Sequence, residues 1–177
     1  MPVYSGYVQA SGKDWDESGA ASNATTLTFV RTTDAGGAPT VEQVAYAILN
    51  TSAVTTGGTI TAATFYWKHN TNDASKQMRL AIWNGVGYSE LYAGFGGGAN
   101  VVKSTGTTDA TLLGYINSSG GTETKLAFNV NHSTPNLSRT CKIYSFDSGS
   151  TVAPYVVISY NDPVVPSSFR RRPFIIT

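Results

Sequence analysis

Few side chains in this sequence could do chemistry. His69 and His132 are the two histidines, Cys141 is the lone cysteine, and Asp14, Asp16 and Glu17 form the one tight acidic cluster. A hydrolytic triad needs an imidazole base beside a nucleophile and an orienting carboxylate. His69 follows an alternating run in Lys68-His69-Asn70-Thr71-Asn72, and His132 stands in Asn131-His132-Ser133; both read as loop residues. No G-x-S-x-G nucleophile elbow accompanies either. Two histidines and one cysteine, far apart, lack the spacing of a zinc site. Asp14 and Asp16 could ligate calcium, and paired carboxylates could hydrolyse a glycoside. The cluster lacks the glycine and distant glutamate of a calcium loop, and the other acids are scattered singly. A solvated turn is the simpler reading. The expectation is therefore no catalytic residue, no cofactor and no metal.

Two further features are weighed and set aside. Gly94-Phe95-Gly96-Gly97-Gly98-Ala99 matches G-x-G-x-x-A, but Asn100-Val101-Val102-Lys103-Ser104-Thr105-Gly106 follows it, and that is no helix. Without a helix N-terminus the dinucleotide motif has nothing to hold a pyrophosphate. Cys141 lies in Thr140-Cys141-Lys142-Ile143-Tyr144, a strand-like run where a single cysteine acts as a small core hydrophobe.

The aromatic residues carry more information. Three Trp, ten Tyr and seven Phe make up 11% of the chain. A flat ring stacks on a sugar face, and nearby amides or carboxylates pair with the hydroxyls. Trp83, Tyr88 and Tyr92, around Asn84-Gly85-Val86-Gly87, could form such a platform, with Trp15 as a further candidate. The competing reading puts Trp67, and Trp83 with it, in the core.

These residues have to be positioned by strands. Period-two alternation recurs in Val41–Leu49, Ile60–Lys68, Met78–Trp83, Lys125–Val130, Thr140–Phe146 and Tyr155–Tyr160. Such runs at short, regular intervals indicate a sandwich or barrel. Glycine pairs at Gly36-Gly37, Gly57-Gly58 and Gly120-Gly121 supply turns between them. Helix evidence is confined to Asp14–Ala21, where Asp14 could cap a single turn. The expected fold is all-β: a two-sheet antiparallel sandwich, jelly-roll-like, of about nine or ten strands.

Composition agrees. Charged residues are 13% of the chain, net charge is +1, and 41% is hydrophobic, which excludes a disordered polyelectrolyte. A domain of 177 residues buries enough surface to need no disulfide or metal. The start, Met1-Pro2-Val3-Tyr4-Ser5-Gly6, has neither the basic nor the apolar region of an export signal. No apolar run spans a bilayer, so synthesis in a cytoplasm and no membrane role are expected.

Residues 163–177 differ from the rest. Three prolines interrupt Pro163–Thr177, and Arg170, Arg171 and Arg172 sit between Phe169 and the apolar Phe174, Ile175 and Ile176. The expected organisation is a domain over 1–162 and an extended C-terminal arm over 163–177. The arm's apolar residues would anchor on a neighbour and its arginines would pair with carboxylates. Nucleic acid is disfavoured, because the body before the arm has more acids than bases.

Gly6-Tyr7-Val8-Gln9 with Trp15, then Gly57-Gly58-Thr59-Ile60-Thr61-Ala62-Ala63-Thr64-Phe65-Tyr66 and the closing Val156-Val157-Ile158-Ser159-Tyr160, resemble a group of β-sandwich modules. The group is that of the carbohydrate-binding-type jelly rolls related to the disaggregatase and DNRLRE families. The resemblance covers most of residues 4–161 and implies either a sugar-binding appendage or a component of a bacteriophage particle. The lone domain and its arm favour the second. The expectation is a structural virion protein of a tailed phage, such as a capsid decoration, head or tail component. It would assemble symmetrically with itself and with neighbouring virion proteins. The alternative is a carbohydrate-binding module that contacts surface glycans.

Overall fold

The computed structural model describes residues 12–15, 21–22, 24–50, 59–83, 88–106, 110–118, 123–149 and 151–161. The arm, with Phe169, Arg170, Arg171, Arg172, Phe174, Ile175 and Ile176, lies outside the described residues, as do Asp16, Glu17 and Asn84–Gly87. The backbones of Trp15 and Trp83 are described; their side chains are not.

The described chain is mostly strand, arranged in three antiparallel sheets. The largest has six strands: β1 (Gly12–Trp15), β2 (Ala21–Ser22), β5 (Ala45–Asn50), β7 (Gln77–Trp83), β8 (Tyr88–Phe95) and β10 (Glu123–Val130). Their spatial order is β2-β1-β5-β10-β7-β8. A second sheet orders β11 (Ser138–Tyr144), β3 (Thr26–Thr33) and β4 (Pro39–Gln43). The third orders β12 (Tyr155–Asn161), β6 (Thr59–Lys68) and β9 (Val102–Ser104). Just beyond β6, His69 bridges to Ile143, so β11 touches the end of β6.

Alternation explains which side chains go inward. Met78, Leu80 and Ile82 of β7 are fully buried, as are Leu126, Phe128 and Val130 of β10. Facing them are Phe29 of β3, Phe65 and Trp67 of β6, Cys141 and Ile143 of β11, and Val156 and Ile158 of β12. Phe128 is the hub: its ring centre lies 6.0 Å from Phe29, 6.3 Å from Phe65 and 6.4 Å from Trp67. Each ring of this kind contributes about 1.5–3 kcal/mol by leaving water. The volume of these rings also decides the phase of β5, where Ala45 and Ala47 turn inward opposite Phe128 and Leu126, sending Tyr46 outward.

Three expectations are corrected. Twelve strands occur among the described residues, more than nine or ten, because β1, β2 and β9 are too short to show as periodic runs. Asp14 does not open a helical turn but lies in β1, paired with Ala47 and Ser22, while residues 16–20 of the expected turn lie outside the described residues. A helix appears where none was expected, α1 (Ala110–Ser118), whose Leu112 is fully buried in the core. Its Gly114 hides it from propensity reasoning, and the long-range burial of Leu112 overrides that local weakness. No helix among the described residues is long and apolar enough to cross a membrane.

The expected turn at Asp34-Ala35-Gly36-Gly37 joins β3 to β4. Asp34 Oδ1 accepts from the amides of Gly36 and Ala38 at 2.8 and 2.9 Å, and Gly37 adopts φ 82°.

Candidate functional site

His69 lies just beyond β6, in an isolated bridge to Ile143, and does not face water as a loop residue would. Its side chain is fully buried, and Nδ1 lies 2.9 Å from Asp73 Oδ2. An indole N–H can only donate, so Trp67 Nε1 donates to His69 Nε2 at 3.4 Å and the imidazole proton resides on Nδ1, bonded to Asp73. The Asp73 carboxylate also accepts from Thr71 Oγ1, from Lys76 Nζ at 2.6 Å and from the Lys142 amide at 3.1 Å. Burial alone would raise the Asp73 pKa; the bonds from His69, Lys76, Lys142 and Thr71 outweigh it and bring the pKa down to about 2.

Both nitrogens of the imidazole are hydrogen-bonded within a fully buried cluster, Nε2 to Trp67 and Nδ1 to Asp73. What the cluster does is join elements. Asn70 N donates to Lys142 O, Asp73 N to Gly97 O, and Asn100 N to His69 O. It ties the end of β6, the turn before β7, the Gly94–Asn100 bend and β11 into one knot. His132 is likewise buried, with Nε2 3.1 Å from the Arg31 carbonyl. Among the described residues no three potential metal ligands cluster.

Among the described residues, an accessible candidate site lies on the other face of the six-stranded sheet. Since Leu126, Phe128 and Val130 point inward, Lys125, Ala127 and Asn129 point outward; on β7 the outward residues are Arg79 and Ala81. The register aligns them: Ala127 pairs with Tyr46 on one side and Ala81 on the other, and Ala81 pairs with Glu90. The result is an open groove of about 270 Å³, lined by Val44, Tyr46, Arg79, Ala81, Tyr88, Glu90, Ala127 and Asn129. Ala81 and Ala127 are too small to fill it, and the tyrosines wall it.

Tyr46 and Tyr88 meet with ring centres 6.1 Å apart, tilted 31°. Burial first, then the neighbouring Tyr46, pushes the Tyr88 phenol up to about 12. Lys125 Nζ sits 4.3 Å above the Tyr46 ring, a cation–π contact that braces the wall. Arg79 Nε lies 3.3 Å from Glu90 Oε2, both side chains about half exposed. At the far end Asn129 Nδ2 donates to Glu42 Oε1 at 2.5 Å, and Arg31 Nη1 meets the same oxygen at 3.3 Å. Among known proteins, the chain matches no family model and no curated sequence.

The structure separates the residues that the sequence grouped as a platform. Tyr88 lines the groove, whereas Tyr92 turns inward: its ring meets Trp67 edge-on at 5.2 Å and its hydroxyl donates to the Phe95 carbonyl. The cause is a register shift between Leu80 and Ala81, which face Tyr92 and Glu90. Leu91 is the extra residue, and it flips the alternation of β8. Trp15 ends β1 and Trp83 ends β7, where it pairs with Tyr88; their side chains lie outside the described residues. Tyr46, Arg79, Glu90 and Asn129 were missed. The available signal was outward aromatic and charged residues on strands whose outward partners are alanines.

Proposed function

We propose that this chain is a non-catalytic binding module whose sheet-face groove takes a saccharide. Its three sheets are read as a two-layer jelly roll, the six-stranded sheet packed against the other two. The observation that carries the proposal is the tyrosine wall of Tyr46 and Tyr88 beside an alanine floor, with Arg79, Glu90 and Asn129 within the same groove. Aromatic rings cover the apolar face of a sugar, and a few polar groups orient it, which is the usual make-up of a small-ligand site. The volume, just below the range of about 300–1,000 Å³ for drug-sized ligands, suits one small unit of a longer chain. Titration of the protein with soluble oligosaccharides tests this. Tyr46→Ala is expected to abolish binding without lowering the melting temperature; unchanged binding would refute it.

A second reading is a structural component of a tailed-phage particle, assembled through protein contacts. A specific surface favours it: Phe95, Val101 and Val102, flanking the Gly96–Asn100 bend, are each about half exposed. Half-exposed apolar side chains on either side of one bend are candidates for burial against a partner. The two readings are compatible, since a particle-borne module can also hold a glycan. Particle incorporation of Phe95→Ser and of a chain ending at residue 162 tests the assembly reading, which fails if both enter particles as the parent does.

A further inference from the structure

Resting on the saccharide reading, we propose that Arg79 and Glu90 determine specificity, selecting a neutral sugar with two adjacent free hydroxyls over a sugar acid. The two side chains extend from neighbouring strands β7 and β8 into the same groove and meet through one contact, Arg79 Nε to Glu90 Oε2 at 3.3 Å. That contact uses Arg79 Nε and Glu90 Oε2; the terminal amino groups of Arg79 and the second carboxylate oxygen of Glu90 enter no further ion pair among the described residues. Donors and acceptors are thus presented side by side. A hydroxyl both accepts and donates, so adjacent hydroxyls match the pair: one accepts from the guanidinium and the next donates to the carboxylate.

A sugar carboxylate matches only half of the pair. It would gain the Arg79 fork but meet Glu90 in the same groove. Arg79 and Glu90 are the charged residues among the described residues that line the groove, and their formal charges cancel. Glu42, just beyond Asn129, is occupied by Arg31 and by the Asn129 amide. Lys125 stands over the Tyr46 ring at the rim. Among the described lining residues the one cation, Arg79, is opposed by Glu90, so an anion meets a carboxylate beside the guanidinium, whereas a diol meets both of its complements.

The experiment is calorimetric titration of the full chain with tetrasaccharides of glucose, mannose and galactose, with tetragalacturonate, and with singly deoxygenated methyl glycosides of the best-bound sugar. A neutral sugar is expected to bind, tetragalacturonate to bind about tenfold or more weakly, and loss of one of two adjacent hydroxyls to cost about tenfold. Arg79→Gln and Glu90→Gln should each weaken the neutral sugar about tenfold with thermal melting unchanged. Added salt should barely move the wild-type affinity. Equal or tighter binding of tetragalacturonate, or wild-type affinity in both variants, would overturn the assignment while leaving the groove a sugar site. Binding of no saccharide, or binding indifferent to Tyr46→Ala, would remove the saccharide reading itself.

Discussion

Trp67 and His69, two residues apart at the end of β6, are joined by a hydrogen bond from indole Nε1 to imidazole Nε2 at 3.4 Å, with both side chains out of reach of water. The bond orients the imidazole so that Nδ1 addresses Asp73, and Asp73 in turn collects Thr71, Lys76 and the Lys142 amide. Burial of one carboxylate is tolerated because every face of it is bonded.

Removing that carboxylate strands its donors. Asp73→Ala should destabilise the protein by about 2–4 kcal/mol, measured by urea unfolding. Asp73→Asn should cost less, because the amide oxygen still accepts. A loss under about 0.5 kcal/mol would show that the knot does not hold these elements together.

Acid should act through the same group. The folded pKa of Asp73, about 2, lies below its ordinary value of 3.8. Its stabilisation is present in full above pH 4 and is lost as the pH falls from about 4 to about 2. Lys76 is partly exposed and screened, so the amount is roughly 1–2 kcal/mol. Urea midpoints measured over this range should fall in the parent and much less in Asp73→Asn.

Two glycine-to-alanine changes should act in opposite directions. A Cβ on Gly96 would lie 2.7 Å from the Asp73 carbonyl oxygen and 2.9 Å from His69 Cε1, with nowhere to move. Gly96→Ala should cost about 1–3 kcal/mol. Gly114, in α1, meets nothing within 4 Å, and Gly114→Ala should stabilise by about 0.5–1 kcal/mol through helix propensity. Thermal melts of the two variants check both signs.

Cys141 should report global unfolding. Burial first, then the charge of Asp73, pushes its thiol up to about 12. A thiol-reactive dye should leave it untouched in the folded protein and modify it at the unfolding rate in urea. Prompt labelling under native conditions would contradict its burial in the core.

Alkaline titration should distinguish the groove. The Tyr88 phenol ionises at about 12 rather than 10, so stability drawn from its neutral form is complete below pH 10 and falls as the pH rises toward 12. Absorbance near the phenolate band should show late-titrating tyrosines, since burial raises Tyr92 as well, and Tyr88→Phe should remove one of them.

The strands, the alternation of β6, β7 and β10 and the buried faces of Phe65, Trp67, Leu80 and Phe128 are legible from the residues themselves, because a period of two is a local property of extended backbone. So is the turn at Asp34–Gly37, where side-chain and glycine chemistry act over a few residues. The rest depends on residues distant in the chain. Whether Tyr46 or Ala47 faces the core depends on the volume of Phe128, some eighty residues away. Tyr88 and Tyr92 lie on opposite faces because β7 and β8 pair with a one-residue slip, which no count along β8 could reveal. His69 became a buried bridge once β11 and the Gly94–Asn100 bend closed over it. Local periodicity sets where strands form; packing volume and cross-strand register, which exist only once distant strands meet, decide which side chains reach water and so where a ligand could bind.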